Sequence, residues 1–202
     1  MGIRLGVMGG TFDPIHNAHL VNASEVAYRL CLDEVVFVPA GRPLHKLPMA
    51  SAEQRLAMTV AATAAHPAFS VSRLEIDRPG PAYTVQTLGE LRRMLGGEDE
   101  LFFIAGADVL GHLPTWREPE LLVGLAHFVF CSRVGYQWTD PGLPAERVTL
   151  LNVPEWHISS MLIRHRVRQG RPIRYLVPDR VAELVVAHQL YRRSPAGTRP
   201  ER

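Results

Sequence analysis

Met8-Gly9-Gly10-Thr11-Phe12-Asp13-Pro14-Ile15-His16-Asn17-Ala18-His19-Leu20 is the stretch from which the rest of the chain can be read. It follows an apolar segment at residues 3–8, predicted to be a short buried strand, and runs into an amphipathic segment at 20–30, predicted to be a helix. Two glycines, a hydroxyl and two histidines three residues apart therefore fall where a strand hands over to a helix N-terminus. Open α/β sheets bind nucleotides at such turns, because unpaired backbone N–H groups and the positive end of the helix dipole face the ligand.

Outward from this turn, Leu20, Val21, Ala23, Val26, Ala27 and Leu30 recur at helical spacing and give one apolar face. Residues 34–38 are a β-branched run closed by Pro39-Ala40-Gly41, which predicts a second buried strand. The loop 42–48 is held irregular by Pro43 and Pro48. Ser51 with Gln54 three residues on predicts a capping box that opens a helix over 52–65. Further strands are expected at 69–76, 101–105, 127–131 and 148–151. Helices are expected at 85–95 with Thr84 as N-cap, from 158 to a stop at Gly170, and over 179–191. Residues 109–125 read as helical and broken by prolines, and 134–146 as a surface loop. Strand and helix alternate about six times. The fold class expected is α/β, a Rossmann-like, doubly wound, largely parallel sheet of about six strands with helices on both faces. Residues 1–191 are expected to form a single domain, with 192–202 a disordered basic tail.

Composition narrows the class. Hydrophobic residues make up 47% and charged residues 21% of the 202, ordinary values for a globular protein, and the net charge of +2 gives no reason to invoke a nucleic-acid partner. Lys46 is the sole lysine, so the positive charge is almost all arginine. Cys31 and Cys131 each lie in an apolar stretch and are expected to be buried thiols in a reducing cytosol. The N-terminus does not read as a signal peptide, and no run approaches the ~18–20 apolar residues of a membrane span. A soluble, cytoplasmic protein is expected.

The glycine turn is neither of the two commonest phosphate-binding motifs. The spacing G-x-G-x-x-G is absent, and no lysine followed by serine or threonine opens the helix. Instead, His16 and His19 stand at i and i+3, so both imidazoles can face a phosphate lying over the glycines. A neutral imidazole offers that phosphate one donor, and a protonated one offers two and a charge.

Residues 9–20 resemble the nucleotide-binding signature of the nucleotidyltransferase superfamily, whose core is H-x-G-H. Ile158-Ser159-Ser160-Met161-Leu162-Ile163-Arg164 resembles its second signature, usually I-S-S-T-x-I-R. The resemblance spans residues 3–191 and is closest to the bacterial nicotinate-nucleotide adenylyltransferase family. It implies transfer of the adenylyl group of ATP to the 5′-phosphate of nicotinate mononucleotide, with release of pyrophosphate, in NAD biosynthesis. It implies His16, His19 and Arg164 as catalytic residues. ATP would be held by these three with Gly9, Gly10, Thr11, Phe12, Arg133, Ser159, Ser160 and Met161. The mononucleotide would be held by Lys46, Tyr83, Thr84, Asp108 and Trp116, with Trp116 stacking on the pyridine ring and Tyr83-Thr84 meeting its carboxylate. The implied cofactor is Mg2+ bound mainly through ATP phosphates, with no metal site of the protein's own. The implied partners are the two nucleotides, without nucleic acid or membrane, and a homo-oligomer is compatible with the pattern.

Two residues depart from the signatures. Ala18 replaces a glycine, which matters if the position needs positive φ or backbone contact closer than a methyl allows. Met161 replaces a threonine and removes one hydroxyl, and a hydrogen bond to a charged group is worth ~1.5–3 kcal/mol. These departures motivate a second reading, a nucleotide-binding protein with impaired turnover. A third keeps the chemistry and changes the acceptor to nicotinamide mononucleotide or pantetheine phosphate. His16, the chain length and Tyr83-Thr84 favour the nicotinate nucleotide.

Overall fold

A computed structural model describes residues 2–44 and 47–192. Lys46 and residues 193–202 of the expected tail lie outside the described residues. In chain order the elements are β1 (Arg4–Gly10), α1 (Asn17–Arg29), β2 (Glu34–Pro39), α2 (Ala52–Thr63), β3 (Phe69–Val71), α3 (Leu74–Asp77) and α4 (Thr84–Met94). There follow β4 (Glu100–Gly106), a 3-10 helix (Ala107–Thr115), α5 (Pro119–Leu125), β5 (His127–Cys131), a second 3-10 turn (Ala145–Arg147), β6 (Val148–Leu151), α6 (Ser160–Arg168) and α7 (Asp179–Ala187).

The six strands form one sheet in the order β3-β2-β1-β4-β5-β6, and every neighbouring pair is parallel. Parallel strands joined by helical crossovers are covered on both faces, which is why β1, β2, β4 and β5 read as continuous apolar runs rather than as alternation. One face buries Val35, Phe37, Phe102, Ile104 and Val129 against α1, α2, α6 and α7. The other buries Val7, Val36, Phe103, Phe128 and Phe130 against α4, α5 and the first 3-10 helix. The doubly wound expectation is met, and the sheet is parallel throughout.

Some local expectations are corrected. The third strand is three residues long and not eight, because Arg73-Leu74 turns into α3, where Arg73 pairs with Glu53 and Asp77. Cys31 is exposed, since the chain leaves α1 there with φ of +48° and carries the side chain outward. Cys131 is buried as expected, and burial pushes its thiol up to about 12. Tyr83, not Thr84, is the N-cap of α4, with no side-chain capping bond. Helix α7 stops at Ala187, and residues 188–191 form a turn. The Ser51–Gln54 capping box is present, with Gln54 N–H donating to Ser51 Oγ at 3.2 Å and Ser51 N–H to Gln54 Oε1 at 2.9 Å.

One glycine is demanded by close approach. A Cβ on Gly41, just past β2, would lie 2.0 Å from the carbonyl oxygen of Glu75, a backbone atom that cannot turn away. At Gly111 a Cβ would meet nothing within 4 Å. Gly41→Ala should therefore destabilise the fold by at least the ~1–3 kcal/mol of an overpacked core. Gly111→Ala should be neutral to slightly stabilising, and paired thermal melts measure the difference.

Candidate active site

Strands β1 and β4 are neighbours in the middle of the sheet, and the chain leaves their carboxyl ends toward opposite faces, through α1 and the first 3-10 helix. This divergence opens the crevice where doubly wound sheets take ligands. Gly9 and Gly10 form its floor on one side and Gly106 on the other. Gly9 is exposed, so its backbone is open to a ligand. A Cβ on Gly10 would lie 2.7 Å from the Phe12 ring, which folds back over the turn with φ of +50°.

The turn then brings the two histidines together. His16 is the N-cap residue of α1, and its backbone N–H donates to Nδ1 of His19 at 3.2 Å. That bond uses the Nδ1 lone pair, so in the neutral ring the His19 proton sits on Nε2. The two rings stack with centroids 3.6 Å apart, and Phe12 meets His19 edge-on at 5.1 Å. His16 is buried, and its Nδ1 has no hydrogen-bond partner. Burial, and then the positive charge of Arg133, lower its pKa from the usual 6.5 to about 3. His16 is therefore neutral in the free protein, in a pocket that disfavours cations until a polyanion arrives.

The second signature docks directly on the first. Ser159 caps α6 by accepting from Leu162 N–H at 3.1 Å, and the Ser160 hydroxyl donates to Pro14 O at 2.8 Å. The Arg164 guanidinium donates to Asp13 O at 2.7 Å and stands 3.8 Å from the Asp13 carboxylate. The first backbone N–H groups of α6, including that of Met161, lack intrahelical acceptors as at any helix start, and so suit phosphate. The Met161 side chain is 72% exposed, so the missing threonine hydroxyl leaves no packing defect.

Asp108 and Arg133, expected on different sides of the site, form one ion pair across the ends of β4 and β5 at 2.8 Å. Trp116 is half-buried, edge-on to Phe103 at 5.8 Å, and Phe103 lies 3.7 Å from where a Gly9 Cβ would be. Tyr83 belongs to the same apolar cluster, with the Arg117 guanidinium 4.7 Å above its ring. Thr84 opens α4, so its backbone N–H is one of the unpaired helix-start donors.

Several residues of the site were not anticipated from the chain. Arg55 is 1% exposed and donates to Thr11 O at 2.7 Å and Gly41 O at 3.2 Å, bracing the histidine turn from below. Its only signal was an arginine among the alanines of an apolar helix face. Glu75 is buried, accepts from Thr87 at 2.5 Å and faces Arg78 at 3.9 Å. Burial pushes its carboxyl up, and the Thr87 hydroxyl and Arg78 oppose that. Asp13 is buried and takes bonds from Met49 N–H, Ala50 N–H and the Tyr191 hydroxyl at 2.8, 3.1 and 2.8 Å. Among the described residues, no group of three or more His, Cys, Asp or Glu is arranged to hold a metal ion.

The backbone conformation at position 18 does not call for glycine. Ala18 lies inside α1, is not among the residues with positive φ, and packs against the buried core.

Known proteins resemble this chain in sequence and in fold. A cytidylyltransferase-like family model matches residues 7–166. A protein of Acidothermus cellulolyticus, named "probable nicotinate-nucleotide adenylyltransferase", is 51% identical over 201 residues, covering 96% of this chain and 97% of that one. One of the same name from Leifsonia xyli subsp. xyli is 54% identical over 94% of each chain. Among solved structures, Plasmodium falciparum nicotinic acid mononucleotide adenylyltransferase complexed with NaAD superposes with a TM-score of 0.79 at 19% identity, covering 94% of this chain and 97% of that chain. At that identity the likeness speaks for the fold.

Two outcomes follow from this geometry. Ala18→Gly should cost about 1 kcal/mol, the helix-interior penalty of glycine, because no positive φ is relieved; chemical denaturation reads it. Below the unfolded pKa of 6.5 the unfolded chain takes a proton at His16 that the folded protein refuses until about pH 3, so stability is lost as pH falls through that window. His16→Gln should flatten this part of the stability curve, and an unchanged slope against wild type would contradict the burial argument.

Proposed function

The chain belongs to the nicotinate-nucleotide adenylyltransferase family, and on that premise we propose that it transfers the adenylyl group of ATP to nicotinate mononucleotide, giving nicotinate adenine dinucleotide and pyrophosphate. The observation that carries the reading is the junction of the two signatures, where Ser160 and Arg164 bond the carbonyls of Pro14 and Asp13 at 2.8 and 2.7 Å. Two segments joined by contacts spanning 146 and 151 residues thus make one anion-binding surface.

In this reading a phosphate oxygen of the mononucleotide attacks the α-phosphorus of ATP. The new P–O bond forms as the bond to the pyrophosphate oxygen breaks, and the electron pair leaves with pyrophosphate. No protein nucleophile is needed, so the protein's work is positioning and charge stabilisation. His16 and His19 donate to phosphoryl oxygens as charge shifts toward the leaving group. The exposed backbone at Gly9 admits the phosphate chain, and Thr11 and Phe12 shape the wall beside it. The first turn of α6, with Ser159, Ser160, the Met161 N–H and Arg164, holds the β- and γ-phosphates. Magnesium held by the ATP phosphates would supply neutralisation of their charge, and the donors of His16, His19, Arg164 and the α6 start would bind the phosphate oxygens beside it.

Trp116 offers its ring face to the pyridine, and the backbone of Tyr83-Thr84 at the start of α4 offers N–H groups to its carboxylate. Asp108 and Arg133 sit between the two nucleotides, and Lys46 supplies charge for the acceptor phosphate. We take residues 1–191 as one catalytic domain. No helix of the described residues is long and apolar enough to cross a membrane, and we place the enzyme in the cytoplasm with its substrates.

With ATP, magnesium and nicotinate mononucleotide, pyrophosphate release should be rapid, and slower with nicotinamide mononucleotide, which lacks the carboxylate. His16→Ala and His19→Ala should each lower the rate by about a hundredfold or more, the range for removing one oriented donor to a transition state. Trp116→Ala should raise KM for the mononucleotide and leave KM for ATP near wild type. Wild-type rates in both histidine variants would refute the mechanism.

A further inference from the structure

Asp13 is a carboxylate with 4% exposure in the middle of the histidine turn, and it faces away from the crevice into three other segments. Its Oδ2 accepts from Met49 N–H at 2.8 Å, and its Oδ1 accepts from Ala50 N–H at 3.1 Å and from the Tyr191 hydroxyl at 2.8 Å. Its own carbonyl accepts from Arg164. A buried carboxylate without such donors would be costly, so each donor fixes the turn as well as solvating the charge.

The Tyr191 end of this contact is built with equal care. Past α7 the chain bends back, with Gln189 and Tyr191 at φ of +51° and +62°, a region non-glycine residues adopt only where their surroundings hold them. The bend seats Leu190 and Tyr191 in the core beside Phe12 and Ile15 of the turn. Burial and the Asp13 charge raise the phenol's pKa, so it remains a proton donor across the working pH range. The hydroxyl satisfies Asp13 on the side opposite Arg164. Without it, Oδ1 would keep one donor, and the Arg164 guanidinium, already bonded to the Asp13 carbonyl, stands 3.8 Å from the carboxylate.

We propose that Asp13 and Tyr191 are a positioning pair for nucleotidyl transfer: the hydroxyl saturates the carboxylate, which keeps residues 11–16 in register and leaves the Arg164 guanidinium available to phosphate. Neither residue touches substrate. Both act through His16, His19 and Arg164. The pair acts on the ATP side of the site and leaves the pyridine side, built from α4 and the segment around Trp116, alone. This inference rests on the adenylyl-transfer reading for its kinetic consequence, but not for its binding consequence.

The test uses the full chain with Tyr191→Phe, Asp13→Asn and the double variant, at a temperature where each is folded. Two quantities are read: kcat/KM for ATP in pyrophosphate release, and the Kd of a non-hydrolysable ATP analogue by calorimetry. Tyr191→Phe should lower kcat/KM for ATP about tenfold, a value typical of one lost hydrogen bond to a charge, and weaken the analogue several-fold. KM for the mononucleotide should stay within twofold of wild type. The double variant should be no worse than Asp13→Asn alone, because the two changes break one interaction. A purely structural role would lower Tm while leaving kcat/KM and the analogue's Kd at wild-type values, and that result overturns the proposal. If only one single variant folds, the same split between ATP and mononucleotide parameters in that variant decides the question. If wild type releases no pyrophosphate, the adenylyl-transfer reading fails, and the analogue's Kd in the variants still tests the pair.

Discussion

Strands β1 and β4 lie side by side and parallel while the chain leaves them toward opposite faces, and every group of the site takes its position from that divergence. Parallel pairing aligns both carboxyl ends at one edge. The crossovers then pull the two connections apart, so a gap opens that no side chain needs to fill. Glycine lies at both lips. The gap is lined by backbone N–H groups and helix starts, which makes it a place for anions before any side chain is considered.

Charge buried beneath that gap is compensated by backbone groups. Arg55 and Asp13 both lie under the histidine turn and both end on backbone groups: Arg55 on the carbonyls of Thr11 and Gly41, Asp13 on the N–H groups of Met49 and Ala50. A cation thus reaches into the turn at the Thr11 carbonyl, and an anion reaches out of it to the N–H groups of Met49 and Ala50. Burial lowers the Arg55 pKa, and the charge of Asp13, first among its neighbours, opposes that. Removing one member would strand another in a dry environment, so these residues stand or fall as a network.

The strands of the sheet were legible because parallel, doubly covered strands must be apolar runs, and β5 was placed to the residue. The shortened β3 was not, because the apolar run at 69–76 serves a three-residue edge strand and then a helix turn pinned by Arg73, a contact without local signal. Within the site, the histidine turn and the α6 cap were legible since their chemistry is local: glycine, hydroxyl and imidazole at fixed offsets. Asp13, Arg55 and Tyr191 were not singled out. Their importance lies in partners 14 to 178 residues away, and a lone aspartate or tyrosine in a sequence carries no trace of such partners. The doubt over Ala18 had a similar origin: the motif's glycine suggested a special backbone, whereas the position is ordinary helix.

The contact between Tyr191 and Asp13 also has a consequence for the order of events during synthesis. The turn at residues 8–20 leaves the ribosome well before the segment after α7, and the hydroxyl that completes the hydrogen bonding of Asp13 is made 178 residues later. Domains form as their chain emerges, amino-terminal parts first. A nascent chain can assemble β1, α1 and β2 early, yet Asp13 keeps an unmet acceptor until the segment after α7 is released and folds back. Translation itself therefore delays the finished nucleotide turn, and a stalled or truncated chain would carry the signature histidines without the complete scaffold beneath them.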